Sequence, residues 1–318
     1  MQVSVVITIL NEEANLNLLL SALKQQTFRP TEIIIVDGGS SDKSLEILAS
    51  WQQHNFFKKI LKVITKEGNR SVGRNIAIKQ AKSDWIAITD AGCIPDKNWL
   101  KELVVNQEKN KSEVVAGYYY GEANSSFEAA VIPYVLVMPD RVNSNDFLPA
   151  TRSMLIKKSV WTEIGGFDES LAHNEDYVFA HKLKECVVKM SFAKKAFVAW
   201  MPRKNLGSFM KMIFRFAYGD LEANILRPKV VLVLVRYLVL VFYLLMLLAL
   251  FSFGSIYLFI FKTALFILAI NIFIYFSWSI QKNVKYVKRG WWWLPILQLT
   301  ADVAVITGTL SGMMKRSE

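Results

Sequence analysis

The stretch that decides the fold is VSVVITILNEEANLNLLLSAL, residues 3–23. Its first seven residues form a continuous run rich in β-branched side chains, which is typical of a strand buried on both faces of a sheet. Four leucines at positions 16, 19, 20 and 23 then recur at helical spacing. A buried strand followed at once by a helix with one apolar face predicts a sheet with crossover helices.

The same arrangement returns along the chain. EIIIVDGGSSDKSLEILASWQQ, residues 32–53, predicts a second strand, a turn of acid and glycine, and a helix. LKVIT (61–65), SVGRNIAIKQAKS (71–83) and DWIAITDAG (84–92) continue the alternation. We therefore expect an α/β domain with a mostly parallel sheet, whose ligands bind at the carboxyl ends of the strands.

The C-terminal third has the composition of a membrane protein. Apolar residues make up 53% of the 318 positions, and the excess is concentrated after Lys229. The tract from Val230 to Trp278 predicts two membrane helices, because one crossing takes about 20 residues. The turn between them is expected at Gly254-Ser255 or at Lys262, and the sequence leaves both open.

A third apolar segment runs from Trp291 to Met314. It is interpreted as spanning the membrane, re-entering it or lying at its surface, and these alternatives stay open. Asp302 near its centre is a functional candidate because it is an intramembrane acid. A contact between helices is an equal alternative, since Gly308 and Gly312 form a small-residue packing pair nearby. Asp302 is therefore not assigned to the site.

The loop QKNVKYVKRG, residues 281–290, carries four basic residues and no acid. The positive-inside rule predicts that it is cytoplasmic, and two crossings before it place residues 1–228 on the same side. We expect a cytoplasmic domain at 1–228, ending in an interfacial helix at about 206–228, and a membrane domain at 229–318 with two or three transmembrane segments. The expected location is the inner cell membrane.

Net charge, cysteine usage and the lack of glycine loops narrow the classes of protein to which the chain can belong. The net charge of +11 suits a protein that lies against anionic lipid, and no interleaving of basic and aromatic residues indicates nucleic acid as a partner. Cys93 and Cys186 form neither a disulfide framework nor a metal motif, which favours a reducing compartment. The glycine loops of dinucleotide sites and of P-loop proteins do not occur in the sequence.

Polar residues follow the predicted strands where each strand ends. They are Thr8, Asn11 and Glu12 after the first, Asp37 after the second, Arg74 beyond the third and Asp90 after the fourth. One acid after one strand is more often a turn residue. Several polar groups on the carboxyl edge of one sheet predict a nucleotide site of another design than the glycine loops.

Six ordered motifs carry a resemblance to a known family. Between residues 3 and 220 the chain resembles the inverting family 2 glycosyltransferases with the GT-A fold, through VVITILNEEANL, EIIIVDGGSSDKS, GNRSVGRNIAI, ITDAGCIPDKNWL, IGGFDES and NEDYVFAHKL. The resemblance implies a nucleotide-diphosphate sugar donor, with a UDP-sugar favoured, transfer to an acceptor hydroxyl, and a divalent metal, Mg²⁺ or Mn²⁺, as cofactor.

The resemblance also implies roles for residues of the donor site. Thr8, Asn11 and Glu12 match the edge of the nucleoside pocket, and Asp37 matches the acid that receives the base or ribose. Arg74 matches the residue near the pyrophosphate, where a guanidinium can fork across phosphate oxygens. The alternative for Arg74 is a solvated helix face.

Asp90 matches the first carboxylate of the family's Asp-x-Asp metal motif, but Gly92 stands at the third position. One carboxylate can hold a magnesium-type ion together with substrate phosphates and water. Asp90 is therefore the predicted metal ligand, with Gly92 as the departure from the pattern.

Glu175 and Asp176 match the family's catalytic Glu-Asp pair, with Asp176 as the base that takes the acceptor proton. The alternative is that both are simply acids at a helix start, where the dipole favours them. Arg215 and Tyr218 are assigned to the acceptor or the membrane interface. Processive relatives carry a Gln-x-x-Arg-Trp motif at about this position. This chain keeps the arginine, as Arg215, but has neither the Gln nor the Trp, which favours a single transfer.

These expectations combine into one function. The chain is predicted to be a membrane-bound, inverting, metal-assisted glycosyltransferase of envelope or lipid-linked glycan assembly, acting on a polyprenyl-type or glycolipid acceptor. The alternatives are a processive polysaccharide synthase and a catalytically silent membrane protein that binds nucleotide sugar.

Overall fold

The computed structural model describes residues 1–144, 146–252 and 258–317. The chain divides into two compact units. The first comprises Met1–Glu122 and Leu136–Met201, and the second comprises Ala123–Val135 and Pro202–Glu318. The second unit thus includes two segments, 123–135 and 202–228, that precede the boundary at residue 228 expected from composition.

The described elements alternate in the order that the sequence predicts for the first 100 residues. In chain order they are β1 (Val3–Ile9), α1 (Glu13–Lys24), β2 (Glu32–Asp37), α2 (Ser44–Gln52), β3 (Leu61–Thr65), α3 (Arg70–Gln80), β4 (Trp85–Ile88), β5 (Cys93–Pro95), α4 (Trp99–Asn110), β6 (Val114–Gly121), α5 (Ser126–Val135), β7 (Met154–Lys157), α6 (Lys158–Glu163), α7 (Glu175–Glu185), β8 (Met190–Trp200), α8 (Leu206–Glu222), α9 (Pro228–Ser252), α10 (Leu258–Gln281) and α11 (Trp293–Ser317).

One mixed sheet organises the first unit, in the strand order β3-β2-β1-β4-β7-β6-β8-β5. β1 to β4 are parallel, as predicted, whereas β7 is antiparallel to β4, β6 is antiparallel to β7, and β5 is antiparallel to β8. The α/β class is confirmed. The parallel arrangement holds for β1 to β4, where each strand is followed by a helix or turn that returns the chain to the same end, and it recurs between β6 and β8.

Helix α3 lies close to β1 and β2. Asn69 caps it by accepting a hydrogen bond from the backbone N–H of Val72 at 3.1 Å. Gly73 lets the helix approach the sheet, because a Cβ there would lie 2.8 Å from Thr8 Cγ2. The next residue, Arg74, is buried and contacts Asp90, which follows β4.

The second unit is helical. Gly308 and Gly312 of α11 pack against α8: a Cβ at Gly308 would lie 2.5 Å from the backbone oxygen of Phe214, and one at Gly312 would lie 2.8 Å from Leu221 Cβ. The predicted small-residue pair is therefore a packing surface between these two helices.

Among the described residues, three helices are long enough and apolar enough to cross a membrane: Pro228–Ser252, Leu258–Tyr286 and Trp293–Lys315. The third is far more buried within the protein than the other two. Lys262 lies inside α10, so a turn at this residue is wrong. The alternative turn at Gly254-Ser255 lies outside the described residues.

Asp302 is buried where three helices of the second unit meet. It accepts hydrogen bonds from Arg236 of α9, from Tyr275 of α10 at 2.6 Å and from Gln298 of α11 at 3.0 Å. Of the two alternatives for this acid, the structure supports the contact between helices. An acid satisfied by several donors stabilises such a contact in an apolar surrounding.

Candidate active site

The loops that follow β1 and β2 are bound to each other. The backbone N–H of Asn11 donates to Ser40 Oγ at 2.8 Å, and the backbone N–H of Ser41 donates to Asn11 Oδ1 at 2.8 Å. The backbone N–H of Glu12 donates to Ser44 Oγ at 2.9 Å. Asn11 has a φ of 56°, a conformation that asparagine tolerates better than most residues. These bonds hold the two loops at one edge of the sheet.

Asp37 closes β2 and is fully buried. Its carboxylate accepts hydrogen bonds from the backbone N–H groups of Gly39 at 3.0 Å and Ser40 at 3.1 Å. Gly39 has a φ of 99°, which a residue with a side chain rarely adopts. Thr8, half-buried, lies opposite Val36 in the parallel register. Asp37 therefore shapes the loop that a donor would meet.

Arg74 is the centre of the site and is only 2% exposed. Its Nη2 donates to Asp90 Oδ1 at 2.9 Å, and its Nη1 donates to Glu175 Oε1 at 2.6 Å. The interpretation of Arg74 as a solvated helix residue is therefore wrong. Its guanidinium joins the acid after β4 to the first turn of α7.

The IGGFDES segment docks on α3 beside this ion pair. Asn75 Nδ2 donates to the backbone oxygen of Phe167 at 2.8 Å, and the backbone N–H of Phe167 donates to Asn75 Oδ1 at 3.0 Å. The ring of Phe167 lies 5.5 Å from the Arg74 guanidinium carbon and stacks on Phe179 of α7. Asn75 was not predicted; its signal in the sequence is an asparagine inside a predicted helix, a position that disfavours asparagine unless its side chain has another role.

Asp176, in the first turn of α7, is half-buried. Burial and the neighbouring Glu175 raise the pKa of its carboxyl group above the ordinary value, while Arg152 and Arg74 act in the opposite direction. The N-cap residue of α7 is Asn174, not either acid. A carboxylate with a raised pKa is a better proton acceptor, which suits the role of a base.

Asp90 has the opposite environment. Burial alone would raise the pKa of its carboxyl group, but Arg74, Arg70 and Arg152 lower it below the ordinary value, so Asp90 is ionised. Its side chain is 33% exposed. Asp90 thus stays charged, whereas Asp176 takes up a proton more readily. Active sites often hold two carboxylates whose environments shift their pKa values in opposite directions.

Few side chains at this edge of the sheet could bind a metal ion. Within the described residues no group of three His, Cys, Asp or Glu side chains is placed to hold an ion. A Cβ at Gly92 would meet nothing within 4 Å, so this position adds open space rather than a ligand. The residues present fit a divalent ion as a single-carboxylate site, in which Asp90 would be the protein ligand and phosphate and water oxygens the others.

Arg152, which precedes β7, was also not predicted. Thr89 Oγ1 donates to its backbone oxygen at 2.9 Å, and its guanidinium lies over the rings of Tyr119 at 5.3 Å and Trp200 at 6.0 Å. The sequence prediction considered only the carboxyl ends of strands. Because β7 is antiparallel to β4, its amino end reaches the same edge of the sheet.

Arg215 and Tyr218 belong to α8 in the second unit. Arg215 is exposed, whereas Tyr218 stacks on Phe214 with ring centroids 6.1 Å apart and lies 5.5 Å below Lys315 Nζ. Lys315 also pairs with Glu222 at 3.1 Å. Tyr218 is therefore part of the packing between α8 and α11, and the acceptor role of both residues stays a prediction.

The chain is similar in sequence to known proteins. Residues 4–161 match the family Glycosyl transferase family 2. The glycosyltransferase AglE of Haloferax volcanii is 23% identical over 225 residues, which cover 69% of this chain and 73% of that protein.

Two solved structures have a similar fold. Staphylococcus aureus TarS 1-349 in complex with UDP-GlcNAc is 20% identical with a TM-score of 0.50, over 70% of this chain and 67% of that 1-349 fragment. GalNAc-T7 with UDP, GalNAc and Mn²⁺ is 18% identical with a TM-score of 0.51, over 64% of this chain and 44% of that one. Residues 4–161 are thus a family 2 glycosyltransferase domain of GT-A type, and the protein is a glycosyltransferase.

Proposed function

We propose that this protein transfers a sugar from a UDP-sugar to a hydroxyl group of a membrane-associated acceptor, of polyprenyl or glycolipid type, with inversion at the anomeric carbon. One observation carries the proposal: Arg74 binds both the acid after β4 and Glu175 beside Asp176. The guanidinium thereby brings the predicted donor-side and acceptor-side carboxylates to one edge of the sheet.

The donor is assigned to the loops after β1 and β2. Thr8, Asn11 and Glu12 would line the nucleoside pocket, and the rigid loop held by Asp37 would meet the base or ribose. TarS, which has this fold, binds UDP-GlcNAc. This likeness supports UDP as the nucleotide of the donor.

The transfer uses Asp176 as the base. Its carboxylate takes the proton of the acceptor hydroxyl while the acceptor oxygen forms a bond to the anomeric carbon. The bond from that carbon to the diphosphate oxygen breaks on the opposite face, and the diphosphate leaves with the bonding electrons. The ion pair of Arg74 with Glu175 fixes the first turn of α7, and we assign Asp176, the next residue, to the acceptor side.

A divalent metal, Mg²⁺ or Mn²⁺, is the proposed cofactor. When bound, it would supply positive charge to the diphosphate, with Asp90 as its protein ligand. Support comes from the lowered pKa of Asp90, which keeps this ligand ionised, and from the Mn²⁺ of GalNAc-T7.

The acceptor is assigned to the membrane because of the apolar helices. Within the part of the chain that the structure describes, three of them are long enough to cross a bilayer. The basic loop at 281–290 favours a cytoplasmic location for itself and for the catalytic domain at the inner membrane. We assign residues 1–228 to that domain, 206–228 to an interfacial helix, and 229–318 to the membrane. The exposed Arg215 and its neighbour Tyr218 would then contact lipid phosphate or the acceptor.

The test is a donor screen with the full-length protein in detergent or nanodiscs. UDP-sugars are offered with membrane lipid extracts, with and without Mn²⁺, and products are identified by mass spectrometry. We expect one lipid to gain one sugar, and we expect no gain with Asp176→Asn. Glu185→Gln, an exposed carboxylate on the same helix, is the matched control.

The screen also decides the alternatives. A ladder of products with many added sugars would indicate a processive synthase. Saturable UDP-sugar binding without transfer to any lipid would indicate a silent binding protein and overturn the proposal.

A further inference from the structure

The pairing of β4 with β7 brings a cation close to the acid that follows β4. The antiparallel register runs from Trp85 opposite Lys157 to Ile88 opposite Met154. Asp90 follows the last paired residue of β4 by two positions, Arg152 precedes the first residue of β7 by two, and the two charges are close enough for Arg152 to lower the pKa of Asp90. The hydrogen bond from Thr89 Oγ1 to the backbone oxygen of Arg152, at 2.9 Å, shows that the segments after β4 and before β7 stay in contact beyond the last paired residues.

Two aromatic rings hold the Arg152 guanidinium in place. Its central carbon lies 5.3 Å from the ring of Tyr119 and 6.0 Å from that of Trp200. Stacking on ring faces orients a guanidinium and directs its N–H groups outward in the plane. Burial lowers the pKa of Arg152, but Tyr119 and Asp90 raise it above the ordinary value, so the group stays charged.

The two arginines of the site are used differently. Both short ion pairs at this edge belong to Arg74, which contacts Asp90 and Glu175. Among the ion pairs of the described residues, none includes Arg152. The fork of Arg74 is therefore directed at two carboxylates, whereas Arg152 lies over two rings and shares a hydrogen bond with the Tyr119 side chain.

Gly92 lies beside the end of β8, which carries Trp200, one of the two rings that contact Arg152. Cys93 pairs with Trp200, and the backbone N–H of Met201 donates to the backbone oxygen of Gly92 at 3.4 Å. A Cβ at Gly92 would meet nothing within 4 Å. The side-chain space of Gly92 thus lies beside the strand end that carries one of the Arg152 rings, and it brings no second negative charge.

We propose that Arg152 binds the diphosphate of the donor and stabilises the charge that develops on it as it leaves. This inference rests on the proposed function, because it assigns a residue to the diphosphate of the same donor. A guanidinium can donate two parallel hydrogen bonds to phosphate oxygens. Placed at the leaving group before the reaction starts, it lowers the barrier for breaking the bond to the anomeric carbon.

The experiment measures nucleotide binding to the full-length protein in detergent by calorimetry, with EDTA. UDP and uridine are the two probes, and the variants are Arg152→Gln and Arg152→Lys. Arg29→Gln is the matched control, because Arg29 also lies over a ring, that of Phe56, but is exposed on the surface. Thermal unfolding of every variant monitors the fold.

We expect Arg152→Gln to weaken UDP binding roughly ten- to hundredfold, as for the loss of charge-assisted hydrogen bonds, with uridine binding unchanged. Arg152→Lys should be intermediate, because it keeps the charge without the fork, and it decides the matter if Arg152→Gln does not fold. With the donor identified, Arg152→Gln should also lower kcat at saturating donor.

Equal UDP affinity in wild type and in the Arg152 variants would overturn the role of Arg152. An equal loss of UDP and uridine binding would also overturn it, because the residue would then act on the pocket rather than on phosphate. A wild-type protein that binds no UDP while it binds another nucleotide would overturn the UDP donor instead. The two failures are therefore distinguishable.

Discussion

Arg74 and Glu175 are 101 residues apart in the chain, and the Nη1 atom of one lies 2.6 Å from the Oε1 atom of the other. Both side chains are almost completely buried, at 2% and 5% exposure. This ion pair joins α3 to the first turn of α7, where the proposed base lies. A charged pair removed from water depends on both partners, because either one left alone is costly to bury.

Arg74→Gln should destabilise the protein strongly. The change leaves the buried Glu175 carboxylate without its cation, and breaking such a pair costs about 3–5 kcal/mol. Thermal unfolding in detergent should therefore show a lower transition temperature than in wild type and in Arg29→Gln. The double change Arg74→Gln with Glu175→Gln should recover part of the loss, since it removes the unpaired charge. An unchanged transition in the single variant would contradict the importance of the pair.

Asp176→Asn should abolish most transfer. The amide of asparagine cannot take up the proton of the acceptor hydroxyl, and a positioned base contributes about 10²–10⁴-fold to the rate. The KM for the UDP-sugar should change little, because the residue is assigned to the acceptor side. The measurement is kcat and KM with the identified donor, and Glu185→Gln should retain wild-type values. Full activity of the asparagine variant would remove Asp176 from its role.

The pH dependence of transfer should report Asp176. Transfer needs the ionised carboxylate, and the pKa of this group is raised above 3.8 by burial and by Glu175. Activity should therefore be lost as the pH falls through this raised pKa, at higher pH than for an ordinary aspartate. Arg152 lowers the pKa of Asp176, so Arg152→Gln should move the acid limb of kcat/KM to still higher pH. A limb that does not move would mean that another group titrates there.

Gly92→Asp should increase the effect of metal. The new side chain has room, because a Cβ at this position meets nothing within 4 Å, and it would offer a second carboxylate near Asp90. Mn²⁺ should then strengthen UDP binding more than it does in wild type, as measured by calorimetry with and without EDTA. Gly92→Asn has the same size without the charge and should resemble wild type. The same response in both variants would show that charge is not the cause.

Gly308→Ala should destabilise the second unit. In an isolated helix this change is favourable by about 1 kcal/mol, but here the Cβ would lie 2.5 Å from the backbone oxygen of Phe214. We expect a lower unfolding temperature, in line with the about 1–3 kcal/mol that overpacking costs. Gly207→Ala in α8 meets only Asn205 Oδ1, at 3.7 Å, and should be tolerated. A stabilised Gly308→Ala variant would argue against the tight contact of α8 and α11.

The local pattern of the sequence predicted much of the fold. β1 to β4, the helices between them and the three long apolar helices each have a periodicity or a length that belongs to the segment itself. The second half of the sheet was not predicted, because the antiparallel entry of β7 depends on where a distant strand pairs.

The sequence by itself determined the class of the domain, the family through six ordered motifs, and the candidates Asp90 and Asp176, because strand ends and motif order are local properties. Only the tertiary structure decided that Arg74 is buried between two carboxylates and that Arg152 lies at the same edge. The residues that pair with a buried charge can be far apart from it in the sequence. Their identity follows from strand pairing and burial, which no short stretch of sequence contains.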